Sequence, residues 1–376
     1  MKGKTFLILL VAAGLLVALW FFRSADEKHT GAVKMGDKLF ADLPVNAVAS
    51  MTIADSESKV TLVKGDKAWQ VQDRGGYPAN FDEIRDTVVK LSRLKIGRSF
   101  STSPESLARL SLLAPSAVDA TGVGKQITLK DQSGKIITDV ILGQTRDTDN
   151  GGSGGQYLKK VDADTVFLVD GSFQFLKTAP AQWLKKEILD VKAEDVASVA
   201  CYAGDPRNPV YTLSRSQRGE PARMTPVPPG RTADMAKIDQ VFDALAPLTL
   251  DDVQAGDGET PAAGSDQPSL VYQLYDGRRI SIFPASDGKG SHTLRVTAED
   301  STAPAQAAST PEPQPADEKP QKGETETATL APETARQLNE AMSPWVFSLK
   351  KWQFDSFITQ PGLLLEEVKK KAEGTS

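Results

Sequence analysis

The feature that most constrains this chain is an internal repetition, because its strand and helix signals run once, stop near residue 190 and begin again. Val48-Ala49-Ser50-Met51 opens the first series, and Val196-Ala197-Ser198-Val199 opens the second. Pro180-Ala181-Gln182-Trp183 and Ser343-Pro344-Trp345 close them. A chain of 376 residues is long enough to bury two hydrophobic cores. The sequence therefore predicts an α+β fold of two tandem copies of one antiparallel-sheet-plus-helices unit, over residues 45–190 and 191–358.

In the first copy, apolar and polar residues alternate between turn residues, which is typical of antiparallel strands. The predicted strands cover 48–53, 60–63, 68–71, 126–129, 136–142, 157–161 and 165–169. Three helices are predicted beside them: one with Ile84, Val88 and Leu91 on a single face, a short one that begins at Ser103-Pro104, and a closing one over 180–189.

The second copy repeats this order with fewer signals. Its predicted strands are 196–201, 210–213, 270–274 and 280–282, and its predicted helices start at Thr232 and Pro332. The second of these helices extends to Trp345. Between the last two strands, Asp276-Gly277 predicts a tight hairpin turn.

A low-complexity segment interrupts the second copy. Residues 298–329 hold almost no large apolar side chain, so they cannot bury enough surface to offset the entropy of ordering, and we expect them to be disordered. Such an insertion is tolerable because closure entropy rises only logarithmically with loop length. Residues 359–376 form a C-terminal tail with one short predicted helix that ends in Lys369-Lys370-Lys371.

An uncharged apolar run, Phe6 to Phe22, follows the N-terminal lysines. As a helix with a rise of about 1.5 Å per residue, it approaches the bilayer's hydrocarbon thickness of about 30 Å. The rival interpretation is a cleaved signal peptide, but the run is long for one and ends in Trp20-Phe21-Phe22, which is typical of a membrane interface. We therefore expect residues 1–23 to form an uncleaved single-pass anchor in the inner membrane with its N-terminus cytoplasmic. Residues 24–44 are then a juxtamembrane segment, and the bulk of the chain is periplasmic.

Composition argues against several classes of function. The formal net charge of −5 provides no basic field for a polyphosphate backbone, so we expect no nucleic-acid partner. Cys201 is the only cysteine, which rules out an intramolecular disulfide and a thiolate metal cage. His29 and His292 are the only histidines, so the sequence offers few residues for a histidine-ligated zinc site or a Ser-His-Asp triad. We predict no catalytic, cofactor-binding or metal-ligating residue and no cofactor.

One glycine-rich loop imitates two functional motifs. Gly151-Gly152-Ser153-Gly154-Gly155 has the spacing of a nucleophile elbow, but strand-like residues follow the serine where a helix is required. Counted from Asp147, the loop resembles the first half of a calcium loop, yet position 12 is Leu158 where a bidentate carboxylate is needed. A flexible hairpin loop is the favoured interpretation, and a weak adventitious cation site is the alternative.

Single residues of chemical interest also have ordinary structural interpretations. Cys201 lies in a predicted strand, so we expect a small buried hydrophobe with an unreactive thiol. His292 lies in a predicted strand with no carboxylate cluster around it, and His29 lies just outside the predicted membrane anchor, so we expect both to be solvent-exposed. Trp183 and Trp345 occupy matching places in the two copies and are interpreted as packing residues, with ligand stacking as the alternative for these and for Trp69 and Trp352.

A resemblance to a known family rests on residues spread over the first copy. They are Ile127-Thr128-Leu129, Gly134, Ile141-Leu142-Gly143, Gln156-Tyr157-Leu158, Val166 to Asp170, Pro180, Trp183-Leu184, Ile188-Leu189 and Asp195-Val196. In this order they resemble the bacterial "domain of unknown function 4340" family, although the glycine usual before Leu112 is Ser111 here. The resemblance covers roughly residues 45–200 and is degenerate in the second copy.

The resemblance implies a membrane-anchored envelope protein, often near ABC-type transport components of the kind associated with gliding machinery. It implies no catalytic residue. We therefore expect a non-enzymatic accessory or scaffold protein of an envelope transport assembly, with an ABC-type transporter as its partner complex. The alternative is an extracytoplasmic ligand-binding or sensor module for an envelope glycan or a small solute.

Overall fold

The computed structural model describes residues 34–116, 121–147, 153–256, 267–300 and 334–368. The chain divides into two compact units. The first unit comprises Met1–Trp69 and Phe81–Gln182, and the second comprises Gln70–Asn80 and Trp183–Ser376. The predicted anchor at 1–23 lies outside the described residues, as does most of the predicted disordered insertion. Among the helices of the described ranges, none combines the length and the apolar character needed to cross a membrane.

In the residues that the structure describes, the first unit contains seven strands of one antiparallel sheet and two α-helices. With strands numbered along the whole chain, it contains β1 (Ser50–Ala54), β2 (Lys59–Lys64), β5 (Ile96–Ser101), β6 (Lys125–Lys130), β7 (Ile136–Asp147), β8 (Ser153–Lys160) and β9 (Thr165–Val169), and the helices α1 (Phe81–Ser92) and α2 (Pro104–Arg109). These strands lie in the order β2-β1-β6-β7-β8-β9-β5. Met51 and Ile53 are fully buried because side chains two apart in a strand share a face. Ile84, Val88 and Leu91 of α1 are buried as predicted.

The second unit is built on an eight-stranded antiparallel sheet. Its strands are β3 (Trp69–Val71, whose Trp69 belongs to the first unit), β4 (Tyr77–Pro78), β10 (Glu187–Leu189), β11 (Val196–Tyr202), β12 (Tyr211–Ser214), β13 (Arg223–Thr225), β14 (Arg231–Ala233), β15 (Leu248–Thr249), β16 (Asp252–Ala255), β17 (Ser269–Leu274), β18 (Arg278–Ser286), β19 (His292–Asp300), β20 (Trp345–Ser348) and β21 (Leu365–Glu367). Eight of them form one sheet in the order β13-β12-β11-β17-β18-β19-β20-β16. Two further ladders join β10 to β15 and β14 to β21.

The described part of the second unit contains three α-helices: α3 (Met235–Asp243), α4 (Ala335–Met342) and α5 (Lys351–Phe354). Asp234 caps α3, and its carboxylate accepts a hydrogen bond from the Lys237 amide at 3.2 Å. At α4, Thr334 and Gln337 form a reciprocal capping box that satisfies two amides of the first turn. The fold is thus α+β and dominated by antiparallel sheet, as predicted at the level of fold class.

The closing helix predicted over 180–189 was wrong. Pro180–Trp183 forms only a 3₁₀ turn, after which Leu184 makes a β-bridge to Ala79 and Glu187–Leu189 pairs with β15. An isolated helix of ten residues is marginal, so the backbone hydrogen bonds offered by neighbouring strands decide the conformation here.

Other predicted helix limits in the second copy also need correction. The helix from Thr232 starts at Met235, because residues 231–233 pair with β21. The helix predicted to reach Trp345 ends at Met342, and Pro344 follows at the place where a proline commonly terminates a helix. In the tail, the described residues form a 3₁₀ turn and β21 instead of a helix, and β19 extends through Asp300 into the predicted insertion.

Ser111 adopts a backbone conformation that favours glycine. Its φ is +54°, in the left-handed region, and it precedes buried Leu112. A side chain in this region costs roughly 1–2 kcal/mol per residue, whereas glycine enters it freely.

We predict that Ser111→Gly raises the free energy of unfolding, by up to about 1 kcal/mol after the extra chain entropy of glycine is subtracted. Urea denaturation of the purified chain measures the change. Ser116→Gly is the control, since Ser116 has no positive φ to relieve and should lose stability slightly. A destabilised Ser111→Gly variant would contradict the backbone assignment.

Candidate functional site

A cleft in the second unit is the best candidate site. It has a volume of about 430 Å³, within the usual range for small-molecule sites. Four stretches line it: Tyr77-Pro78 of β4, Lys185 with residues 187–191 around β10, Asp195 with the hairpin turn at Asp276 and Arg278, and the last turns of α4. The cleft therefore depends on the residues 70–80 that join this unit from far upstream in the sequence.

The segment 70–80 is held in place by a bidentate ion pair. Arg74 Nε lies 2.6 Å from one carboxylate oxygen of Asp252, and Arg74 Nη2 lies 2.8 Å from the other. Gly75 and Gly76, with φ of +65° and +84°, turn the chain directly after Arg74. A side chain on Gly75 would approach the Trp345 ring, at 3.4 Å from its Cβ. The doublet thus permits both the turn and the close approach to Trp345.

Aromatic packing and backbone pairing continue this attachment. The Tyr77 ring meets the Trp345 ring edge-on at 5.1 Å between centroids, and the Phe347 ring at 6.2 Å. The Lys185 amide donates to the Pro78 carbonyl at 2.9 Å, and the Asn80 amide donates to the Trp183 carbonyl at 2.8 Å. These contacts fix the position of Tyr77, which lines the cleft.

The Arg74–Asp252 pair lowers the pKa of the Asp252 carboxyl. Partial burial would raise this pKa, but the hydrogen bonds from Arg74 and the charge of its guanidinium outweigh it. A carboxyl whose pKa is lower in the folded state adds stability above its unfolded pKa of about 3.9, and loses it as the pH falls through the folded value.

We predict that Asp252→Asn lowers the free energy of unfolding at neutral pH by about 1 kcal/mol, because the two side chains remain 28% and 35% exposed and solvent screens them. The difference from the natural chain should shrink as the pH falls below about 4. Urea titrations across this pH range measure it. Asp251→Asn, next along the chain and exposed, should show neither effect, and a deficit that persists unchanged at low pH would argue against the ion pair.

The cleft walls combine carboxylates, cations and an apolar side. Glu187, Asp190, Asp195 and Asp276 supply the carboxylates, and Lys185 and Arg278 supply the cations. Asp276 accepts from Arg278 Nε at 2.8 Å, and Asp195 is paired with Arg218 at 2.6 Å. Burial would raise the pKa of Asp276, but the hydrogen bonds from Arg278 lower it. Leu338 and Met342 of α4 face the charged groups from the apolar side.

A hollow on the first unit is larger but more open, with a volume of about 580 Å³. Thr52, Gln126 and Thr128 line it, on the polar side of β1 and β6. Of its two carboxylates, Asp55 and Glu57, Asp55 already accepts hydrogen bonds from Thr178 Oγ1 at 2.7 Å and from two amides of its own turn. These bonds outweigh burial and lower the pKa of Asp55. Because Asp55 is engaged structurally, the hollow is the weaker candidate.

The buried polar core of the second unit performs a structural task. The Tyr211 hydroxyl donates to the Ile358 carbonyl, and the Tyr272 hydroxyl donates to the Val241 carbonyl at 3.0 Å. Cys201 is fully buried between them in β11, as predicted, and burial raises the pKa of its thiol to about 12. A thiol with this pKa is not a nucleophile at neutral pH.

The glycine-rich loop does not form a nucleophile elbow in the described part of the chain. Ser153 begins β8, so a strand follows it where the motif requires a helix. Leu158, at the last position of the imitated calcium loop, is a buried residue of β8. Residues 148–152 and the Asp147 side chain lie outside the described residues. Within the residues that the structure describes, no group of three or more His, Cys, Asp or Glu side chains is placed to hold a metal ion.

The predicted exposure of His292 was wrong. Its ring is half-buried and stacks on Phe354 with 4.6 Å between centroids, because β19 brings it against α5. Its Nδ1 has no hydrogen-bond partner within the described ranges. His29 lies outside them.

The tryptophans separate into three cases. Trp69 and Trp183 are 8% and 1% exposed and are packing residues, as predicted for Trp183. Trp345 begins β20, whereas Trp183 ends a 3₁₀ turn, so the two do not occupy equivalent elements and that prediction was wrong. Trp352 is 65% exposed.

Sequence reasoning missed the cleft entirely. Its residues come from stretches separated by as much as 265 positions, and none belongs to a recognised catalytic or ligand-binding motif. The usable signal was Gly75-Gly76 followed by Tyr77-Pro78, a turn beside an aromatic residue and a proline.

Comparison with known proteins gives one match. Searches of curated proteins and of solved structures found nothing similar. A family model matches residues 69–268, more than half of the chain, and includes Tyr77 and all of β10. The chain therefore belongs to the family described as "Domain of unknown function (DUF4340)".

Proposed function

We propose that this protein is a non-enzymatic accessory or scaffold protein, anchored in the inner membrane, that serves an envelope transport assembly of the ABC type from the periplasmic side. Membership of the DUF4340 family carries the proposal, since the family resemblance implies such a setting. The apolar run Phe6 to Phe22, with aromatic residues at its end, supports the anchor.

The tandem architecture is part of this proposal. The strand order β2-β1-β6-β7-β8-β9-β5 in the first unit parallels β12-β11-β17-β18-β19-β20-β16 in the second. In each unit a helix, α1 or α3, precedes the strand at the end of that order. This correspondence supports duplication of one ancestral unit, with the domain limits at 45–190 and 191–358 still a prediction.

Location is tested by fusing alkaline phosphatase to the C-terminus, because this enzyme is active only after export. We expect an active fusion in cells. Deleting residues 1–23 should abolish the activity, and an inactive fusion to the full chain would contradict periplasmic placement.

Partnership is tested by purifying the full chain from native membranes after mild crosslinking. We expect membrane components of one transport complex to co-purify, as identified by mass spectrometry. Recovery of the chain alone, at expression levels matching the native ones, would contradict the accessory role.

The cleft of the second unit favours one second candidate, an extracytoplasmic ligand-binding module. Its mixed polar and apolar lining is typical of small-molecule sites. A thermal-shift screen of the purified chain against small solutes and envelope glycans tests it, and stabilisation by no compound would count against this candidate.

A further inference from the structure

The first unit places two basic stretches of the chain side by side. Residues 34–38 and 93–98 hold five cations and one carboxylate, although the whole chain carries a net charge of −5. The five cations are all exposed: Lys34, Lys38, Arg93, Lys95 and Arg98. The Gly36 amide donates to the Ile96 carbonyl at 2.7 Å, and the Ile96 amide donates to the Asp37 carbonyl at 2.8 Å. These bonds gather the five cations into one basic patch.

At the centre of the basic patch, Lys38 lies directly opposite Lys95 in an antiparallel β-bridge. Hydrogen bonds flank the two residues and do not join them, and in such a pair the side chains come closest. Within the described residues, neither ammonium group has a hydrogen bond or an ion pair. Like charges placed directly opposite each other destabilise a sheet. An anionic partner would remove this cost.

The carboxylates beside this pair are bound to backbone amides. Asp37 accepts the Lys34 amide at 3.0 Å, and Asp170 accepts the Lys95 amide at 2.8 Å. Both carboxylates are therefore held away from an ion pair with Lys38 or Lys95. The two ammonium groups remain open to a partner from outside the chain.

Met35 adds an apolar contact to the basic patch. Its side chain is 83% exposed, on a turn that the Asp37 amide closes by donating to the Lys34 carbonyl at 3.1 Å. Cations beside an exposed apolar side chain are typical of surfaces that lie in a membrane interface, where the charges meet head groups and the apolar group reaches the acyl chains. A soluble acidic partner gives no reason for Met35 to be exposed there.

The basic patch also lies close in sequence to the proposed membrane anchor. The apolar run ends at Phe22, and eleven residues, 23–33, separate it from Lys34. Even fully extended, a segment of that length spans at most about 40 Å. Such a short tether gives the patch a high effective concentration at the bilayer.

We propose that the basic patch docks on anionic phospholipid head groups of the membrane that holds the anchor. Lys38 and Lys95 make the central contacts with lipid phosphates, and Met35 enters the interface between them. The proposal rests on the anchored placement already proposed and adds a second, electrostatic contact with the same membrane.

Fluorescence quenching of the full chain in lipid nanodiscs tests this docking. Met35→Cys is labelled with bimane, and the fully buried Cys201 stays unlabelled. The probe lipid is phosphatidylcholine brominated on its acyl chains, with or without phosphatidylglycerol. We expect phosphatidylglycerol to increase quenching at least about threefold. The increase should disappear between about 0.1 M and about 1 M salt, because the Debye length falls from about 10 Å to about 3 Å.

Charge reversal identifies the residues responsible. K38E/K95E in the labelled chain should lower quenching to the level without phosphatidylglycerol. K237E/K289E is the matched control, since it makes the same charge change at exposed lysines of the second unit and should leave quenching unchanged.

The outcomes separate the possible failures. Quenching that is equal with and without phosphatidylglycerol, or equal in K38E/K95E with circular dichroism showing a folded chain, would overturn the docking. A full chain that does not enter nanodiscs would contradict the anchor. Flotation of that chain with phosphatidylglycerol vesicles would then support the docking, and its absence would overturn it. Loss of crosslinks in cells from position 35 to a protein in K38E/K95E, without any lipid effect, would assign the patch to an acidic protein and overturn the lipid proposal.

Discussion

Trp183→Ala is expected to lower the free energy of unfolding by about 3–5 kcal/mol, the usual cost of truncating a buried tryptophan. The side chain is 1% exposed, and the Trp183 carbonyl accepts the Asn80 amide at 2.8 Å. The cavity would open where residues 77–80 attach to the second unit, so local loosening of the cleft should accompany the loss. Urea denaturation measures the stability, and hydrogen exchange of residues 77–80 measures the loosening.

Trp352→Ala is the matched control, with the same substitution in the same unit. Because Trp352 is 65% exposed, we expect a change within about 0.5 kcal/mol. Equal losses in the two variants would contradict the assignment of Trp183 as the buried member of the pair.

Gly155→Ala is expected to destabilise the first unit by about 3 kcal/mol or more. Gly155 has a φ of +104°, which side-chain-bearing residues rarely adopt, and an added Cβ would lie 2.1 Å from the Val169 carbonyl oxygen of β9. The backbone of β8 or β9 must move to relieve this overlap, which breaks the ladder between the two strands. Circular dichroism during urea denaturation should show an earlier transition.

Gly134→Ala separates the two causes. Gly134 also has a positive φ, +84°, but an added Cβ meets no atom within 4 Å. It should therefore cost only the backbone term of roughly 1–2 kcal/mol. Equal losses at the two glycines would show that the contact with β9 contributes nothing.

Local patterns predicted the fold class well because successive side chains of a strand lie on opposite faces of the sheet, so burial of one face appears as alternating apolar residues. Met51 and Ile53 are buried, as their spacing indicated, and Asp276-Gly277 forms the hairpin turn between β17 and β18. Ser103 with Pro104 begins α2 as predicted, where the Ser103 hydroxyl accepts the Ser106 amide at 3.3 Å. Each of these signals lies within a few residues of its effect.

The failures share a non-local cause. Residues 184–189 are strand-like because they pair with Ala79 and with β15, and neither partner is visible in the sequence of that segment. Likewise, Arg74 forms its ion pair with Asp252, which lies 178 positions further along the chain. The cleft also depends on contacts between residues that are distant in sequence, since its walls assemble only when residues 70–80 join the second unit.

Exposed aromatic residues provide the most direct test of the proposed accessory role. Phe175 is 87% exposed and Trp352 is 65% exposed, so both side chains are accessible to a partner. A photocrosslinking amino acid placed at each position, in the full chain in living cells, reports which protein touches it. Exposed polar positions in the same units, Gln132 and Lys289, serve as controls. The account predicts specific crosslinks from Phe175 or Trp352 to a membrane subunit of a transport complex, and crosslinks no stronger than those of the controls would contradict it.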